Sequence, residues 1–325
     1  MRFRTILVSY ILTGVLFSSC TRKMPGTAVF SVVTTTFPCY DAARAVLGNT
    51  ISDGTVFLSM LVKPGTEVHS FDPSPADIIA VQKSGLFIYV GGESDEWVEK
   101  MLSASDAKRM EKQLRLIDFV ETAEELSFEE EKTADCKNGG VKNPHELDEH
   151  IWTSPANELK IIDAVCEALC AAMQKNGEND FSDEFKANAA AYKRKIRAVA
   201  EQTAEIVAAA QEKYIVMADR FPLRYFADYY GLSFDAAFSG CSTAVEASTA
   251  TLSRLIDTVR TKKLPAVFYI ELGNHKIADS IAETCAVSAI ELQSCQNITK
   301  KDFDDGETWV SLMERNALAL KRGLR

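Results

Sequence analysis

Residues 182–213, SDEFKANAAAYKRKIRAVAEQTAEIVAAAQEK, run without a proline or a glycine. Phe185, Ala189, Tyr192, Ile196, Val199, Thr203 and Ile206 step by alternating fours and threes, which lines them up as one stripe on one helix face. Ser182 is the predicted N-cap, and Asp183 and Glu184 fall in the first turn, where the helix dipole favours negative charge. At ~1.5 Å per residue such a helix is ~40 Å long, more than one small lobe needs. A flexible linker would be rich in Gly and Ser, and this segment is the opposite. The segment is therefore predicted to be a rigid strut joining two lobes.

The flanking sequence supports two lobes. Short apolar runs alternate with helical patterns twice over, at 28–33, 56–62, 86–90 and 114–119, and again at 214–218, 234–238, 266–271 and 288–292. Continuous rather than alternating hydrophobicity suits parallel strands covered on both faces. The expected fold class is α/β: two lobes, each a roughly four-stranded parallel sheet flanked by helices, joined by one long rigid helix. The corresponding division is 1–20 leader, 21–180 N-terminal lobe, 181–212 linking helix and 213–325 C-terminal lobe. Residues 121–149 interrupt the pattern; they are polar, acidic and contain glycine, and read as a surface loop.

The first 20 residues stand apart. Arg2 and Arg4 precede a short apolar run, Ile6 to Phe17, that Tyr10, Thr13 and Gly14 break. A membrane-spanning helix needs ~20 apolar residues, so the run reads as an export signal. The small residues before Cys20 resemble a bacterial lipobox, with Phe17 where Leu is usual. Cys20 is the expected lipidation site, and simple secretion is the alternative. A lipid anchor would hold the protein outside the cytoplasm on the membrane surface. The net charge of -10 argues against nucleic acid, which needs a basic face. Cys39, Cys136, Cys166, Cys170, Cys241, Cys285 and Cys295 are an odd set with no CxxC pair, which excludes a zinc ribbon.

Of four histidines, two sit at loop-to-helix junctions of the first lobe. His69 lies in EVHSFDPSPADI, directly beyond a predicted strand, and His150 lies in DEHIWTSP, ahead of a helix opening at Ser154-Pro155. Ligands of open parallel sheets collect at the carboxyl ends of strands. Asp219 closes the first strand of the second lobe, and the same rule makes it face the first lobe across a cleft. Two imidazoles and a carboxylate are a reasonable partial set for zinc or manganese. Asp219 pairing with Arg220, or capping the next helix, is the plainer reading of that aspartate.

GTEVHSFDPSPADI, LFIYVGGESDEWVEK, DEHIWTSPANELKIIDAVCEAL, YFADYYGL and WVSLMERNALALKRGL occur in order over about residues 30–323. They resemble the motifs of the metal-specific (zinc/manganese, cluster A-I) substrate-binding lipoproteins of ABC importers. The resemblance implies two lobes bridged by a rigid helix with the metal between them, and places the first two ligands on His69 and His150. The second lobe departs from the pattern. Arg220 stands where a third ligand is usual, so Asp219 takes that role only if the loop carries one extra residue. The usual final aspartate is missing from IELQSCQN, leaving Gln293 or Cys295, with Cys241 and Glu271 as further candidates.

The resulting expectation is an extracytoplasmic, monomeric lipoprotein. It captures a divalent metal as transported ligand, zinc with manganese as the alternative, and delivers it to an ABC transporter permease. A metal-free, adhesin-like derivative of the same fold is the competing reading, to which the Arg220 departure lends weight. A hydrolase using Glu149 as base is disfavoured. HELDEH is not HExxH, its histidines are not on one helix face, and no P-loop, GxSxG or GxGxxG appears in context.

Overall fold

The eight apolar runs each contribute a strand. In the computed structural model they are β1 (Phe30–Thr34), β2 (Val56–Met60), β3 (Leu86–Tyr89), β4 (Gln113–Arg115), β5 (Tyr214–Phe221), β6 (Ser233–Ser239), β7 (Ala266–Ile270) and β8 (Ser288–Leu292). Residues 30–104, 112–123, 147–175, 180–240 and 247–324 are described. The leader with Cys20, most of the acidic stretch with Cys136 and His145, and Cys241 lie outside them. All recorded pairings are parallel, in two four-stranded sheets ordered β2-β1-β3-β4 and β6-β5-β7-β8. The chain steps from β1 to one neighbour and then crosses to the other side, and it does the same from β5. Each sheet therefore has a switch point, at β1/β3 and β5/β7, where the connections part and leave a crevice beyond the carboxyl ends.

Two strands differ most from their apolar runs. The run 114–119 is strand only to Arg115, after which Leu116–Phe119 turns as a 3-10 helix whose Leu116 and Ile117 remain buried. The run 214–218 extends through Phe221, but with an irregularity. Met217 pairs with Ala236 and Arg220 with Phe238, so Ala218 and Asp219 stand opposite Ala237 alone. This is a one-residue bulge at the cleft end of β5, a feature that re-aims the side chains around it.

The strut is a helix from Ser182 to Ala209. Phe185, Ala189, Tyr192, Ile196, Val199, Ala200, Thr203 and Val207 are buried along it, and Ile206 is only half-buried. Ser182 is not the cap: it is the first helical residue, and its N–H donates to Asp180 Oδ1 at 3.0 Å. A capping side chain has to precede the helix, and Asp180 supplies the oxygen from outside it. The strut packs against the helices Phe37–Leu47, Pro155–Lys175 and Trp309–Gly323, and one continuous apolar core takes in residues of both sheets. Burying each large side chain of the stripe contributes about 1.5–3 kcal/mol.

Polar groups stitch the lobes across this core. Buried Asp41 accepts from Tyr192 Oη on the strut and, at 2.8 Å, from the backbone N–H of Trp309 on the last helix. Trp152 Nε1 donates to Ser294 O at 2.8 Å, and Trp309 Nε1 donates to Trp152 O at 3.0 Å. Buried N–H groups with carbonyl partners are costly to release, so the lobes are tied behind the cleft as well as bridged by the strut. Among the described residues no helix is long and apolar enough to cross a membrane.

Candidate metal centre

The first imidazole is placed by the loop after β2. Ser74 and Pro75 end that loop by starting the helix Pro75–Lys83. Ser74 Oγ accepts from Asp77 N at 3.3 Å, and Asp77 Oδ2 accepts from Ser74 N at 2.8 Å. This reciprocal capping box explains the Ser and Pro residues crowding His69 in the sequence. The other end of the loop is held from the second lobe. Asn297 Nδ2 donates to Lys63 O and Thr66 O at 2.9 and 2.7 Å, and Gly65 N donates to Ile298 O at 2.7 Å.

The second imidazole is fixed by the segment before the helix Pro155–Lys175. Asp148 N donates to Ala123 O at 2.8 Å. Tyr225 Oη, from the second lobe, donates to Asp148 O at 2.8 Å and accepts from Ala123 N at 2.9 Å. Asp148 Oδ1 then accepts from both His150 N and His150 Nδ1, each at 2.9 Å. His150 is fully buried, with Trp152 on one side, ring centroids 5.4 Å apart. On another side is Gly240, where a Cβ would stand 2.8 Å from His150 Cε1 and 3.1 Å from Phe221 O. No side chain fits there without moving the ring or the strand end.

The two rings come together across the mouth of the first sheet, with centroids 6.4 Å apart. His69, Glu149 and His150 each offer a ligand atom, and these atoms all lie within 4.8 Å of one another. Metal–ligand bonds of about 2.0–2.2 Å hold donors on one ion at most about 4.4 Å apart, so small side-chain turns would close this group on a single ion.

The proton positions follow from the partners. Asp148 is a carboxylate acceptor, so His150 carries its proton on Nδ1 and the lone pair on Nε2. Ser94, in the short turn Glu93–Asp95 after β3, spends its hydroxyl proton on Glu149 Oε1. Ser94 Oγ can then only accept from His69 Nδ1, 3.1 Å away. His69 Nε2 therefore holds a lone pair, which faces the Gln296 amide nitrogen at 3.3 Å. Each imidazole is oriented by a hydrogen bond at Nδ1 and leaves an Nε2 lone pair that could bind a metal, an arrangement typical of metal-binding histidines.

Glu149 is buried and oriented by the same turn, with Ser94 N donating to its Oε2 at 2.8 Å. Gly92 makes the approach possible: at φ 122° it has a backbone suited to glycine, and a Cβ there would stand 2.6 Å from Glu149 Cβ. Burial pushes the Glu149 carboxyl up to about 7, against the opposing pull of His150 and the Ser94 hydrogen bonds. A divalent ion would supply the positive charge that this burial calls for.

Among the described residues, the second lobe brings a different side chain to the donor group from those expected. Asp219 is not in the donor group. The bulge turns Asp219 Oδ1 back onto Arg220 N at 2.8 Å and sets Oδ2 beside Gly273. Gln293 Nε2 donates to Glu291 Oε1 at 2.6 Å, so its side chain is committed elsewhere. Cys295 is buried in the core with its thiol pushed up, by burial first and by Glu271 second. Glu271 is also buried and accepts from Ser294 N and Oγ at 2.7 and 2.6 Å; burial pushes it up to about 7. The residue that reaches the site is Gln296, whose Nε2 also lies 3.4 Å from Glu149 Oε1. Arg220 Nη2 donates to Glu67 Oε2 at 2.9 Å across the cleft mouth. Burial raises Glu67, but Arg220 outweighs it and holds the carboxyl below its usual range. The DEH tripeptide shows Glu149, but nothing in its spacing marks it as a ligand, and no local signal marks Gln296.

Comparison with known proteins places this geometry. The family described as zinc-uptake complex component A, periplasmic (ZnuA), matches residues 32–323. The chain belongs to that family. The zinc-binding lipoprotein AdcA of Streptococcus pneumoniae is 28% identical over 304 residues, covering 94% of this chain and 58% of AdcA. This chain thus spans little more than half of that relative. The high-affinity zinc uptake system protein ZnuA of Bacillus subtilis is 25% identical, with 90% of this chain and 87% of that protein covered. The crystal structure of Zn(II)-bound AdcA superposes with a TM-score of 0.71 at 27% identity, over 91% of this chain and 57% of that one. A laminin-binding adhesin of Streptococcus agalactiae shares the fold, with a TM-score of 0.72 at 20% identity. ZnuA-family proteins take part in metal uptake, and the two-lobed α/β architecture is the family's.

Proposed function

We propose that this ZnuA-family protein captures a single zinc ion as cargo between its lobes and hands it to an ABC permease. His69 Nε2, His150 Nε2 and a Glu149 oxygen are the proposed ligands. The observation that carries the reading is the convergence of these three donors with both Nε2 lone pairs fixed by their neighbours. Two imidazoles favour zinc over manganese, which prefers oxygen-rich sites, so manganese is the weaker ligand in this reading. The zinc-binding and zinc-uptake names of the AdcA and ZnuA relatives agree with it. The site is a binding site rather than a catalytic one. Glu149, the candidate base of a hydrolase, has both oxygens held by Ser94 and is oriented as a ligand.

Lipidation at Cys20 would keep a monomeric protein on the outer face of the membrane, beside its permease. The proposed motion is small, because the strut and the Trp152–Ser294 and Trp309–Trp152 bonds resist a wide hinge. Chelator-competition titration of the purified mature protein tests the reading. One zinc per chain, bound more tightly than manganese, is the expected result. A chain that binds no divalent metal stoichiometrically refutes it.

A further inference from the structure

Three protein donors leave a tetrahedral ion one position short. What faces that position decides what completes the shell. Among the described residues no fourth His, Cys, Asp or Glu joins the group. Gln296 turns its amide nitrogen toward His69 Nε2 and Glu149 Oε1, at 3.3 and 3.4 Å, and an N–H group has no electron pair for an ion. Both of those neighbours are acceptors in the metal-free site, which selects this orientation there.

Among the described residues, Arg220 is a further second-lobe group at the mouth. Its guanidinium bonds Glu67 Oε2, while Glu67 Oε1 accepts from the backbone N–H of His69 at 3.4 Å. Two hydrogen bonds through one carboxylate therefore separate the guanidinium from the backbone of a proposed ligand. The Arg220 side chain is only 16% exposed, and Glu67 is its one recorded side-chain partner. A guanidinium has five N–H donors in a planar fork. Among the described residues no second acceptor is recorded for that fork, and none of its nitrogens is both buried and unpartnered, so the rest of it opens to the cleft. A cation fixed beside a cation-binding site repels bare metal but attracts an oxyanion, which Arg grips in bidentate fashion.

We propose that the cleft takes zinc together with a small planar oxyanion, a carbonate or a carboxylate, whose one oxygen fills the open zinc position while the others lie on the Arg220 fork. The proposal rests on the zinc-capture reading above and specifies the form in which the cargo is held. The ligand is then a metal–oxyanion unit. Arg220 is a specificity residue that turns the departure from the family's motif into an anion subsite.

The test is zinc affinity by chelator competition in carbonate- and carboxylate-free buffer, repeated with bicarbonate and, separately, with acetate. The unsubstituted protein should bind zinc about tenfold more tightly with the preferred anion, a gain of about 1.4 kcal/mol. The arm that shows the gain identifies the anion. R220Q should lose the anion dependence and bind zinc more tightly than the unsubstituted protein when no anion is present, because the repelling charge is gone. Infrared spectra with isotopically labelled bicarbonate or acetate should show a bound-anion band in the unsubstituted, zinc-loaded protein that is missing from R220Q. Circular dichroism checks that R220Q is folded, and R220K serves as a second variant that keeps the charge without the fork. Zinc affinity indifferent to both anions, with no bound-anion band, overturns the oxyanion proposal and leaves zinc capture standing. No zinc binding in any buffer overturns both.

Discussion

Asp148 touches no metal in the proposed site, yet the geometry makes zinc affinity depend on it. Its Oδ1 accepts from His150 N and His150 Nδ1 at 2.9 Å each, and both residues are buried. The carboxylate therefore sets which ring nitrogen carries the proton, fixes the ring's rotation and adds electron density to the ligating Nε2. D148A removes all three and leaves two N–H groups without their acceptor. Each such group costs about 1–3 kcal/mol of stability, reduced where water enters. The zinc affinity of D148A should fall by about 10- to 100-fold, or about 1.4–2.8 kcal/mol. D148N keeps an oxygen that can accept both bonds and loses only the charge. It should fold with little loss of stability and fall at the low end of that range. Chelator competition for affinity, with thermal melts of the metal-free proteins, separates the two effects. If D148A and D148N both bind zinc like the unsubstituted protein, His150 is not held by this carboxylate for ligation, and the proton assignment is wrong.

The double variant H69A/H150A should lose stoichiometric zinc binding while keeping its circular dichroism spectrum; retained binding would remove both imidazoles from the site. Glu158 is buried with both carboxyl oxygens lacking a hydrogen-bond partner, and burial, then Asp41, pushes its carboxyl well above 4.5. Asp95 and Glu271 are also raised by burial, to about 6 and about 7. A carboxyl raised on folding contributes stability that is fully present below its unfolded value, near 4 for these groups, and lost as pH climbs through the folded one. The metal-free protein should therefore melt at lower temperature at pH ~8 than at pH ~5. E158L, similar in size and free of the charge, should melt higher at the alkaline end, by about 2–4 °C per kcal/mol gained; a lower melting temperature at both ends would contradict this. Y225F removes the hydroxyl joining Ala123 N to Asp148 O, and should cost about 1–3 kcal/mol in denaturant unfolding. Small-angle scattering should show little compaction on zinc addition; a large change in radius of gyration would mean that the strut bends.

The chain's local patterns carried the architecture and the two histidines of the candidate site. The apolar runs are short enough for strands and continuous enough for covered parallel sheets. The stripe from Phe185 to Thr203 has one period and no breaker, so only a long helix satisfies it. His69 and His150 stand out because loop-to-helix junctions beyond strands are where such sheets collect ligands. The second lobe's share was not readable, because it depends on register and approach rather than residue type. One extra residue in β5 decides that Asp219 turns onto its own backbone while Arg220 reaches Glu67. Three residues of phase after β8 decide that Gln296, not Gln293, meets His69. Glu149 joins the donors only because Gly92 and Ser94, from another strand's end, leave it room and hold it. Hydrophobic period is a property of neighbours in sequence and survives in the bare string. Donor convergence is a property of distances between separate segments, and only the packed lobes set those.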